Sequence, residues 1–108
     1  MWKPLGRVEL EDIIAVAECA MGQSTKLFWD RIKIPPAKWQ LSPWGDEGEG
    51  FWVVALVGSH CVYFNDIEEG FNISQYKEFG QIQDYRCNQT DLHDCICGFR
   101  ATFFLQSE

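Results

Sequence analysis

The sequence predicts an α+β fold: an antiparallel sheet of four to five strands in meander order, with an N-terminal and a C-terminal helix over one face. Three observations point there. Apolar residues recur three or four apart near both ends of the chain, as in helices packed on one side. Between them, strand-like runs alternate with turns too short for a parallel crossover, so consecutive strands must pair antiparallel. Finally, 108 residues, 46% of them hydrophobic, suffice for one core in a single domain, 1–108.

In chain order, residues 9–21 place Leu10, Ile13, Ile14, Ala17, Cys19, Ala20 and Met21 largely at helical spacing. Glu9, Glu11 and Asp12 fall in the first turn, where carboxylates complement the helix dipole. Gly22 is a natural stop. Residues 27–34 read as a short helix running into an extended piece, and Pro35-Pro36 is expected to end regular structure. Trp39-Gln40-Leu41 reads as a short edge strand ahead of the Gly-rich loop 42–50. The unbroken apolar run 51–57 has the pattern of a central strand covered on both faces. Gly58-Ser59 provides a tight turn into 60–66. Ile67-Glu68-Glu69-Gly70 provides a second turn, with Gly70 able to take positive φ, before the returning strand 71–76. A further extended stretch follows at 81–87, and Asn88 or Thr90 is expected to cap a last helix from Asp91 that packs Leu92, Ile96, Phe99 and Phe103.

Charge is distributed unevenly. The net charge is −7, yet residues 39–76 contain no Lys or Arg and hold Asp46, Glu47, Glu49, Asp66, Glu68 and Glu69. Ordinary surfaces intersperse both signs, so acid clusters flanking a hairpin argue for a positively charged partner. The same balance opposes direct nucleic-acid binding, because no basic stripe offsets repulsion by phosphate. No apolar run is long enough to span a membrane and the start lacks a signal-peptide stretch, so a cytoplasmic protein is expected. Five cysteines without small-scaffold spacing fit reduced thiols, and the sequons at Asn72 and Asn88 would matter only in a secretory pathway.

Residue type and spacing bear on several chemistries. Cys87, His93, Cys95 and Cys97 are soft zinc ligands, but a Cys-x-Cys pair on a helix diverges, which favours buried structural thiols. The loop Asp46-Glu47-Gly48-Glu49-Gly50 puts carboxylates where a phosphate cradle needs free amides, and neither it nor Asp66-x-Glu68-Glu69 has calcium-loop spacing. His60 and His93 lie near acids in sequence without a nucleophile motif. Trp52 reads as core, whereas Trp44, between Pro43 and Gly45, reads as an exposed anchor.

The run from Trp44-Gly45-Asp46-Glu47-Gly48-Glu49-Gly50-Phe51 to Ala55, followed by Tyr63-Phe64-Asn65-Asp66-Ile67-Glu68-Glu69-Gly70-Phe71-Asn72, resembles a group of small bacterial proteins. Some of these are similar to immunity proteins of polymorphic and contact-dependent toxin systems. The resemblance covers roughly the middle third of the chain. It implies a small acidic cytoplasmic protein that neutralises a basic toxin, such as a nuclease, with carboxylates standing in for phosphates.

The leading expectation is therefore a non-enzymatic, cofactor-free binding protein for a basic protein partner. Its expected contacts are Asp46, Glu47, Glu49, Asp66, Glu68 and Glu69, two clusters that antiparallel pairing brings together at the open end of the hairpin opposite Gly58-Ser59, with Trp44 as anchor. One rival is a small hydrolase or metal-dependent enzyme using the acidic loops with His60; another is a homo-oligomeric module joined through surplus aromatics.

Overall fold

A computed structural model describes residues 4–41, 44 and 49–104, without the side chains of 103 and 104. The chain runs through α1 (Arg7–Ala20), α2 (Gln23–Ile32), β1 (Lys33–Trp39), β2 (Phe51–Val57), β3 (His60–Asn65), β4 (Gly70–Gln75) and α3 (Leu92–Phe104). The strands form one antiparallel sheet in the order β1-β2-β3-β4, so the α+β meander holds with four strands.

Each face of the sheet has its own core. On one face the helices bury Leu10, Trp29, Ile32, Leu92, Cys95 and Ile96 against Val54, Ala55, Val62, Phe64 and Phe71. On the other, Trp39, Leu41, Phe51, Val53, Cys61 and Tyr63 pack with Ile82, Tyr76 and Tyr85 from the segment after β4. This is why β2 reads as a continuous apolar run. A register shift between Val53 and Ala55 adds to it, since Val54 and Ala55 both join the helix-side core.

Four details depart from the sequence expectation, each for a local reason. Pro35-Pro36 lies inside β1 rather than ending regular structure. Proline is tolerated there because β1 is an edge strand, and its pairing with β2 is irregular between Lys33 and Ala37. Residues 81–87 form no strand: Gln81 makes only an isolated parallel bridge with Gln40, and from Asp84 onward sheet side chains take up backbone groups. Asp84 N–H donates to Ser74 Oγ at 2.8 Å, Arg86 N–H to Tyr63 Oη at 2.7 Å and Asn88 N–H to Asn72 Oδ1 at 3.0 Å. Asn65 Nδ2 in turn donates to Arg86 O at 2.8 Å. Asn72, 2% exposed, is thereby closed to modification as a sequon. The α3 cap is Asp91 itself, whose Oδ1 accepts Asp94 N–H at 2.8 Å. Lastly, Gly70 does not supply the positive φ of its turn: Glu69 does, at 60°. Gly70 is needed for space, since a Cβ there would lie 2.1 Å from Asn88 O.

The helix 9–21 was legible, but its buried face is narrower than its composition suggests. Leu10 is fully buried and Ile14, Ala17 and Met21 pack on the core, while Ile13, Cys19 and Ala20 are exposed.

Candidate functional site

The sheet register decides where the acidic loops go. Val57 pairs with His60 around Gly58-Ser59, and Gly58 takes φ 56° to make that two-residue turn. Trp52 pairs with Phe64 at the far end of the hairpin, so Glu49, just before β2, and Asp66, just after β3, emerge at the same end. Asp46 and Glu47 lie outside the described residues.

That end is not uniformly negative. Lys38, one residue before the stretch without Lys or Arg, pairs across β1 and β2 with Trp52 and so shares its face. Its Nζ lies 4.8 Å from the Trp52 ring centroid and donates to Gly50 O at 3.3 Å. Burial pushes the Lys38 pKa down, while the charges of Asp66 and Glu49 pull it up. A sequence window cannot register this compensation, because it arrives from the neighbouring strand.

The carboxylates divide into two roles. Asp66 is 7% exposed, and its Oδ2 accepts Leu5 N–H at 2.8 Å, while Trp52 Nε1 donates to Leu5 O at 2.9 Å. Asp66 and Trp52 thus fasten residues 4–6 to the sheet, and burial takes Asp66 out of the expected contact surface. Glu49 and Glu69 are exposed and Glu68 half-buried. The turn carrying Glu68 and Glu69 is set by Asn65, whose Oδ1 accepts the N–H groups of Ile67 at 3.0 Å and Glu68 at 3.2 Å. Glu49 and Glu69 are the two described non-glycine residues in the left-handed region, at φ 64° and 60°.

No protein-family model, curated protein or solved structure matches this chain.

Beside the β3–β4 turn opens a cleft of about 440 Å³, floored by Leu5, Ile13, Phe64 and Phe71 and rimmed by Asp66, Glu69 and Asp91. In the sequence Asp91 signals only the start of a helix. The fold brings it to the acidic end because Thr90 O accepts Phe71 N–H at 2.8 Å and anchors the α3 entry on β4. Trp44 is 45% exposed and stacks on Tyr85, with ring centroids 4.2 Å apart. Tyr85 packs on the sheet face away from the helices, so this aromatic pair and Asp66 lie on opposite sides of the sheet. Tyr85 gave no signal in the sequence as a partner for Trp44.

His60 opens β3 and the acidic turn follows its end, a separation of roughly 17–20 Å along the strand. Among the described residues, His60 and the acids of the β3–β4 turn thus lie at opposite ends of β3. His60 instead lines a different cleft with Arg86 and Asp84. The thiols and His93 do not converge as one zinc set either. Cys95 is buried in the helix-side core, where desolvation raises its pKa to about 12, and Cys87 is exposed on the segment after β4.

Proposed function

We propose that this chain is a non-enzymatic binding protein that docks a basic protein surface on its acidic end, in the manner of an immunity protein for a basic toxin domain. Support comes chiefly from backbone conformation. Glu49 and Glu69 hold left-handed φ values that glycine or asparagine adopts more easily, so two carboxylates occupy positions where local stability disfavours them. The adjoining cleft suits a Lys or Arg side chain, with apolar walls for the aliphatic stem and Glu69 and Asp91 for the cation. Glu49, Glu68 and Glu69 then steer association, whereas the Trp44–Tyr85 stack lies on the other side of the sheet from the cleft. Five free cysteines fit action in the reducing cytoplasm.

The test begins with the reading frame encoded directly upstream. Its C-terminal domain, purified, should be basic and bind this chain with an association rate that falls as salt is added. Glu68→Lys together with Glu69→Lys should slow association by about tenfold or more while leaving the melting temperature in place. An association rate indifferent to both salt and charge reversal would reject the proposal.

A further inference from the structure

β4 is an edge strand, and part of its outer edge is open. Tyr76 N–H donates to Ser59 O at 2.8 Å, so by antiparallel alternation Ser74 and Asn72 also turn their backbone groups towards β3. Phe71, Ile73 and Gln75 turn theirs outward. Thr90 O takes the Phe71 N–H at 2.8 Å and Gln75 O accepts Gln83 N–H at 3.3 Å, whereas the N–H and C=O of Ile73 meet no hydrogen-bonding partner among the described residues. We propose that this gap receives an extended, cation-bearing segment of a partner protein, which adds to β4 as a further strand.

The walls beside this edge suit a strand. Ile73 lies in a cleft of about 510 Å³ between α3, over one face of the sheet, and the segment 84–88, which Ser74 and Asn72 hold over the other. Cys95 and Phe99 make the α3 wall largely apolar, while Asp84, Arg86 and Asn88 make the opposite wall polar. An added strand points successive side chains to alternate walls, one apolar and one polar. Gly98 belongs to the α3 wall, and a Cβ there would meet nothing within 4 Å. Glycine weakens a helix interior, and here it makes room for no neighbour within the chain; its effect is to leave the cleft open.

Charge sets the chemistry of the occupant. Phe71 and Thr90 line both this cleft and the one at the acidic end, so the two adjoin. Together they present Asp84, Asp94, Asp91 and Glu69 against Arg86 and the imidazole of His60, which favours a segment carrying Lys or Arg over a neutral or acidic one. Strand addition rests on the reading of the acidic end as a dock for a basic protein, and it supplies main-chain bonds that fix the register of what the charges steer in. β4 of a second copy is a poor source of the segment, because it lies between the same two walls.

The probe is an acetylated and amidated octapeptide alternating valine and lysine, added to the isotope-labelled full chain and followed by nuclear magnetic resonance. In the free chain the Ile73 amide should exchange faster than those of Asn72 and Ser74, and the peptide should slow it by about tenfold or more. N-methylation throughout the peptide, or glutamate in place of lysine, should weaken binding by about tenfold or more. Gly98→Leu, which fills the cleft from α3, should weaken it by about as much while the melting temperature stays or rises. The proposal is overturned if the valine–lysine peptide does not bind the unsubstituted chain, if Ile73 exchange does not respond to it, or if binding survives N-methylation or Gly98→Leu. It is overturned equally if Ile73 is already protected in the free chain, as a second copy seated on the edge would make it. A domain encoded upstream that associates without regard to salt would instead reject the docking reading, whatever the peptide shows.

Discussion

At the residue scale, the two left-handed glutamates separate stability from function. Glu69→Gly relieves a side chain from a backbone region it disfavours, and the turn keeps its Asn65 bonds. A gain of about 0.5–1 kcal/mol is expected, read as a rise of a few degrees in melting temperature, together with weaker binding to a basic partner. Gly70→Ala should do the reverse, because its Cβ would press into the Asn88 backbone at 2.1 Å. The exposure of Glu49 and Glu69 was legible in the sequence from their place in glycine-bearing loops. The burial of Asp66 was not, since its partner Leu5 is 61 residues away and only the closed fold brings them together. Lys38 was missed for a related reason: its relation to Trp52 exists only through strand pairing.

At the element scale, the meander was legible because turn chemistry and apolar runs agreed, most clearly around Gly58-Ser59. The segment from 76 to 90 was not legible. Its residues suit an extended chain, but whether they join the ladder depends on Tyr63, Asn65, Asn72 and Ser74 reaching it with side chains. Tyr63 is the centre of that attachment, its hydroxyl accepting Arg86 N–H at 2.7 Å and lying 3.0 Å from Asp84 O. Tyr63→Phe leaves the Arg86 amide without this acceptor. A loss of about 1–3 kcal/mol in urea unfolding is expected, with faster amide exchange at Asp84 and Arg86. An unchanged denaturation midpoint would show that water replaces the hydroxyl.

At the scale of the whole molecule, the two-sided core makes the protein sensitive to alkali. Burial raises the thiols of Cys61 and Cys95 from the ordinary value of 9.0 to about 12, and it raises the Tyr63 hydroxyl as well. Above pH 9 the unfolded chain releases these protons while the folded chain retains them, so stability falls as pH rises from about 9 towards 12. Denaturation midpoints at pH 8 and 10.5 should show this drop, and Cys61→Ala with Cys95→Ala should flatten the pH dependence whatever it does to the baseline. The fastening of Leu5 by Asp66 and Trp52 carries a different kind of consequence, one of timing. Hairpins between sequence neighbours form early, whereas a contact closing 61 residues waits until the sheet and helices are in place. The cleft wall that Leu5 supplies is thus expected to close last, and release of Leu5 from Asp66 would open the cleft without unpairing the sheet.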